Sequence, residues 1–135
     1  MSENTNLKIA LDNASDLFNN NNLNECIEQL EEILNIHPSN LKALSLLLDI
    51  NIKLNRAEKA LKIIKKLIQL EPDSKEHHEK LVKVHQFLND NRAYESALIN
   101  FHKKFPSITT ARLISNIHIE NDREEESDQV IQSFF

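Results

Sequence analysis

The sequence predicts an all-α fold, a solenoid of antiparallel helix pairs, and three observations carry that expectation. All three prolines, Pro38, Pro72 and Pro106, are spaced by the same 34 residues, a period typical of stacked-repeat architectures. Asn21, Asn55 and Asn89 repeat at the same interval, each 17 residues before a proline. Glycine is absent and aromatic residues make up only 5% of the 135 residues, which argues against tight β-hairpins and glycine-rich phosphate loops. Proline stops a helix because it lacks the backbone N–H and clashes with the preceding turn. Asparagine is the non-glycine residue that most readily takes the left-handed conformation closing a helix. Each unit therefore holds two stop signals, one halfway and one at its end.

The first unit, residues 7–40, places Ile9, Ala10, Ala14 and Leu17 on its first helix. Its second helix carries Cys26, Ile27, Leu30, Ile33, Leu34 and Ile36 at helical spacing. The second unit, residues 41–74, is the clearest. Leu44, Leu47, Leu48 and Ile50 mark its first helix, which stops at Leu54-Asn55. Ala60, Leu61, Ile63, Ile64, Leu67, Ile68 and Leu70 mark the second, from about Arg56 to Glu71-Pro72.

The strings NECIEQLEEILNIHPSN and AEKALKIIKKLIQLEPDS resemble the second helix of a tetratricopeptide repeat (TPR). In that family a small residue opens the second helix, and Cys26 and Ala60 stand there. Bulky apolar residues follow four and seven positions later, here Leu30 and Ile33, then Ile64 and Leu67, and the closing proline is Pro38 or Pro72. Departures are equally specific. Ala14 keeps the small close-packing position of the first helix, but Leu48 replaces it in the second unit. Asn21 and Asn55 replace the family's turn glycine, and its tryptophan position holds Ala10, Leu44 and His78. The resemblance implies a right-handed superhelix of helix pairs, in one domain spanning residues 1–135.

The third unit, residues 75–106, begins in register with Leu81, Val82, Val84 and Leu88 before Asn89. Its second helix reads two ways: Tyr94 fills a widened small-residue slot, or YESAL opens a helix delayed by three residues. The bulk of tyrosine at a close helix crossing favours the delayed start. Residues 107–135 read as an irregular pair, with helices over 108–120 and 124–135 and a turn at Asn121-Asp122. The resemblance is good over residues 7–105 and weak beyond.

A net charge of −5 disfavours a general nucleic-acid binder, which needs a basic stripe to displace counterions. The single cysteine cannot form an internal disulfide, which favours a reducing compartment. MSENTNLKIALDNAS lacks the apolar core of a signal peptide, and no stretch is long enough to span a bilayer. The expectation is a cytoplasmic protein without membrane association.

Six histidines raise the question of a metal. His78 and His85 share a predicted helix but lie two turns apart, at repeat positions usually filled by large packing side chains, with no HExxH pair or cysteine cluster beside them. Packing is the expected role, and neither metal nor cofactor is expected. Cys26 sits at a packing position without a basic neighbour in its turn, so it reads as structural. The run Arg123-Glu124-Glu125-Glu126 suits a helix start. Lys59, Lys62, Lys65 and Lys66 read as a solvated face, with contact to an acidic partner as the alternative. No catalytic triad, carboxylate pair or nucleotide loop is present, so no enzymatic activity is expected.

In the family, the first helices line a concave groove that takes an extended peptide or a partner helix. Carried over, that face holds Lys8, Leu11, Asp12, Ser15 and Asn19 from unit one. Unit two adds Lys42, Ser45, Leu46, Asp49 and Lys53, and unit three Glu76, Glu79, Lys80 and Lys83. The family's carboxylate clamp would need lysine, asparagine and arginine where this chain has Leu11, Ser15, Leu46, Glu76 and Lys80. Only Lys80 keeps a suitable charge, and Glu76 would repel a carboxylate. A protein-interaction adaptor is the leading expectation. The alternative is a structural or oligomerisation module acting through its ends. For that role the apolar Val130, Ile131, Phe134 and Phe135 suggest a homodimer through the C-terminal helix, or a contact within a larger assembly.

Overall fold

A computed structural model describes residues 3–120, and among them the chain forms seven α-helices and no strand. They are α1 (Glu3–Asn19), α2 (Leu23–Ile36), α3 (Leu41–Lys53), α4 (Ala57–Leu70), α5 (Lys75–Phe87), α6 (Asn91–Lys104) and α7 (Ile108–Glu120). The predicted pair over residues 107–135 is described only as far as α7. Its second helix, with Ile131, Phe134 and Phe135, lies outside the described residues.

The turns follow from three asparagines. Asn21, Asn55 and Asn89 take φ of 62°, 58° and 56°, the left-handed region that costs most residues about 1–2 kcal/mol. The Asn22 amide donates to the Leu17 carbonyl at 2.8 Å and the Asn21 amide to Phe18 at 3.0 Å. The Arg56 amide donates to Asn51 at 2.8 Å and Asn55 to Ile52 at 3.1 Å. These are paired closures that satisfy the last carbonyls of α1 and α3. The second helices stop instead at His37, Glu71 and Phe105, with φ of −125°, −134° and −131°. Each precedes a proline, whose ring drives the preceding residue out of the helical region. Side-chain caps start α3 and α6: Asn40 Oδ1 accepts from the Ala43 amide at 2.9 Å and Asp90 Oδ1 from Ala93 at 3.1 Å.

The third unit corrects the delayed-helix expectation. α6 begins at Asn91, one period after Ala57 and two after Leu23, so YESAL lies inside it. The left-handed turn at Asn89 and the Asp90 cap set the start, and Tyr94 takes the widened slot. It remains half-buried where Cys26 and Ala60 are fully buried, while Leu98 and Phe101 fill the positions of Leu30 and Ile33.

The chain forms two compact units, Met1–Asp73 and Ser74–Phe135. In the first, α3 packs against α1, α2 and α4. Its core combines Ala14, Cys26, Leu30, Ile33, Ala43 and Ile50 with Leu44, Leu48, Ala60, Ile64 and Leu67. In the second, α6 packs against α5 and α7, burying Val84, Leu98, Phe101, Ala111 and Ile114.

Candidate functional site

The 34-residue period fixes which side chains stand at equivalent repeat positions. On the first helices the equivalent positions read Leu11, Ser45 and Glu79, then Asp12, Leu46 and Lys80, then Ser15, Asp49 and Lys83. Within the first unit, Leu11, Ser15, Ser45, Leu46 and Asp49 are half-buried and Lys42 is exposed. Leu11 and Leu46 rest on the core beneath them, so each contributes a partly covered apolar surface rather than a free side chain. The two serines are short, which leaves the shelf between α1 and α3 low.

Lys53 has an internal role that sequence reading did not anticipate. Its Nζ donates to Asn21 Oδ1 at 2.9 Å and lies 5.9 Å from the centroid of the Phe18 ring, within reach of a cation–π attraction. The lysine ties the end of α3 to the turn after α1. Phe18 follows Leu11 and Ser15 at helical spacing, and that i+7 step was the signal available for it.

On the second unit, Glu79 and Lys83 are exposed and Lys80 is half-buried. Lys80 Nζ pairs with Glu76 Oε1 at 3.1 Å, one turn away. The cation that alone fits the carboxylate clamp thus has a carboxylate of its own helix beside it. Phe87, one period after Lys53, is 52% exposed. It stands exposed at the end of α5 and was missed because phenylalanine at a helix end reads as core.

The remaining candidates have packing roles. Cys26 is fully buried and its Sγ donates to the Ala14 carbonyl at 3.2 Å. Burial pushes the thiol's pKa upward, against a smaller opposing effect from a backbone hydrogen bond with Phe18, which disfavours the reactive thiolate. His78 lies against the Phe105 ring, centroids 5.9 Å apart. Among the described residues no three histidine, cysteine, aspartate or glutamate side chains are grouped to hold a metal ion. No described helix is long and apolar enough to cross a membrane. A cleft of about 300 Å³ opens between the start of α1 and the end of α2, lined by Leu7, Ala10, Ile33, Ile36 and their polar neighbours. Ala10 leaves that space where Leu44, one period later, is 4% exposed. None of the residues expected on the partner-binding face lines it.

A family model of the tetratricopeptide repeat matches residues 3–83. The chain belongs to the tetratricopeptide repeat family. A search of curated proteins by sequence finds no match. Among solved structures, MamA of strain AMB-1 is similar with a TM-score of 0.76 at 16% identity, covering 93% of this chain and 69% of that one. A further MamA crystal structure gives a TM-score of 0.74 at 15% identity, with 96% and 77% covered. MamA from residue 41 onward, of Desulfovibrio magneticus RS-1, gives 0.71 at 11% identity, with 95% and 73% covered. Likeness at such identities shows the shared TPR fold. TPR domains are typically non-enzymatic scaffolds for protein–protein contact, and this chain is an interaction scaffold in that general sense.

Proposed function

We propose that this TPR chain holds a partner polypeptide, as an extended segment or a helix, on the exposed faces of its first helices. The observation that carries the reading is the low shelf of Leu11, Ser15, Ser45 and Leu46 between α1 and α3, half-buried but not closed over. Short hydroxyl side chains there let a partner backbone come close and accept hydrogen bonds, while the two leucines supply apolar contact. Lys42 at the rim offers a charge to a partner carboxylate, and Asp49 one to a partner cation. In the second unit, taken by itself, Glu79, Lys80 and Lys83 hold the equivalent repeat positions on α5, and exposed Phe87 is an aromatic of the type that dominates binding energetics.

The test is a peptide selected from a random library for binding to the intact chain. Its affinity is then measured for Leu46→Arg, Lys42→Glu and Leu11→Arg, each checked for helicity. At least two of the three variants should lose about tenfold or more, as expected for contacts worth about 1.4 kcal/mol. Lys103→Ala, exposed on α6, should bind as the parent does. Unchanged binding by all three variants would place the site off the first helices.

A further inference from the structure

The second helices of the first unit carry opposite charges at identical repeat positions. α2 holds four glutamates, Glu25, Glu28, Glu31 and Glu32, and no lysine or arginine. One period later, α4 holds Lys59, Lys62, Lys65 and Lys66, so that every glutamate maps onto a lysine. Seven of the eight are exposed and Lys66 is half-buried. Among the described residues none of the eight forms an ion pair. At the far end of each stripe stands an exposed apolar residue, again one period apart: Ile36, 71% exposed, and Leu70, 39% exposed.

Helix stability alone would not choose this arrangement. Like charges three and four residues apart weaken a helix, whereas mixing glutamate and lysine on each would strengthen both. The chain instead segregates the signs, all acidic on one helix and nearly all basic on the next. The repeat carries α2 onto α4, so the stripes run in the same direction on the same side of the unit. A second copy facing this side, related by a twofold axis lying between α2 and α4 and parallel to them, sets each acidic stripe against a basic one. The same operation preserves direction along the helices and brings Ile36 of one copy beside Leu70 of the other. A twofold axis across the helices would instead place acid on acid. Charge and apolar placement thus select one symmetry independently of each other.

We propose that the outer faces of α2 and α4 form a self-complementary surface through which two copies of this chain associate, α2 of each on α4 of the other. The surface is separate from the first-helix face proposed for the partner polypeptide and stands or falls without it. Each helix has 14 residues and is about 21 Å long, so the contact is short and belongs to the weak, transient class. It is strongly salt-dependent, since exposed charges are screened over about 30 Å at 0.01 M salt but about 8 Å at 0.15 M.

Sedimentation velocity of the intact chain tests this. A dimer is expected at about 0.01 M salt, its dissociation constant rising at least about tenfold by 0.15 M. The triple reversal Lys59→Glu, Lys62→Glu, Lys65→Glu should be monomeric alone, as should Glu25→Lys, Glu28→Lys, Glu31→Lys. Mixed in equal amounts, the two variants, one acidic and the other basic at seven of the eight positions, should form a heterodimer. Ile36→Ser, a change at an exposed site that leaves folding intact, should weaken the wild-type dimer several-fold even if a triple variant loses helicity. A wild-type monomer at low salt into the high micromolar range overturns the proposal. So does a dimer that survives both Ile36→Ser and the reversals unchanged, which would place self-association on another surface.

Discussion

The two compact units repeat one plan with different interiors. Among the described residues the first buries eleven apolar side chains and one polar one, Asn51, whose amide donates back to the Leu47 carbonyl at 2.8 Å. The second buries five apolar side chains and five polar ones: His77, His102, Thr110, Ser115 and His118. A single repeat position shows the change, reading Ile50, Val84 and His118, all buried. In these three repeats one position is enclosed, and the sequence decides whether packing or hydrogen bonding fills it. His102 Nδ1 and Thr110 Oγ1 are 2.6 Å apart, and Thr110 Oγ1 lies 2.9 Å from Ser107 Oγ. His118 Nε2 stands 3.3 Å from Glu95 Oε1. Apolar burial contributes with little regard to orientation, whereas each such bond adds only about 0.5–1.5 kcal/mol net and depends on geometry. The first unit is built for stability, and the second trades part of it for directional contacts.

The largest expected effect probes the dry interior. Ile64 is 0% exposed, and Ile64→Ala should cost about 2–5 kcal/mol, the transfer term plus the cavity. One period on, Leu98→Ala should cost less, because half-buried Tyr94 has room to lean into the vacated space where Ala60 has none. Ile9, 44% exposed on α1, should cost least of the three. Urea midpoints measure all three, and an Ile64→Ala variant no weaker than Ile9→Ala would end the contrast between interior and edge.

The directional contacts come next. Thr110→Val keeps the shape but removes the hydroxyl shared by His102 and Ser107, stranding buried acceptors and donors at about 1–3 kcal/mol. Adding His102→Leu should recover part of that loss, since removing both partners of a buried bond leaves less unsatisfied. If Thr110→Val is neutral, or if the two losses simply add, the second unit is held by packing like the first.

The period in Pro38, Pro72 and Pro106 made the helix pairs legible, because proline and left-handed asparagine act through local sterics that need no tertiary context. Core positions at Leu30, Leu48, Ile64 and Leu67 were legible for the same reason, as repeat positions with apolar occupants. Tyr94 was misread because the bulk of one side chain says little about a slot whose width is set by neighbouring helices. The polar interior of the second unit escaped notice because His102 and Thr110 are eight residues apart on different helices, and no spacing rule links them. Lys53 was read only as a residue of the partner-binding face, whereas its bond to Asn21 spans 32 residues. Such contacts exist only after folding.

Turn energetics should be indifferent to this contrast, since Asn55 and Asn89 share nearly the same φ. Asn55→Val should cost on the order of 1–2 kcal/mol because a β-branched residue resists the left-handed region, and Asn89→Val should match it. The glycine variants should stay within a few tenths of the parent. A valine cost confined to one unit, read from thermal midpoints, would show that the interiors reach their turns.

The smallest effect concerns Cys26 and alkaline pH. Burial holds the folded thiol's pKa above its ordinary value of 9.0, so the unfolded chain loses this proton first as pH rises. By linkage the thiol's contribution is complete below about pH 9 and falls away above it, because deprotonation then favours the unfolded state. Cys26→Ala, with the residue already present at the equivalent Ala60, should be only mildly destabilising near neutrality. Its stability should decline less steeply than the parent's between about pH 9 and 10. Other groups titrate in the same range, so the quantity to follow is the difference between the two proteins in urea midpoint. That difference should shrink as pH climbs. A gap that stays constant would mean that the thiol is not shielded in the folded chain, and that the Ala14–Cys26 crossing is looser than the 3.2 Å contact between Sγ and the carbonyl implies.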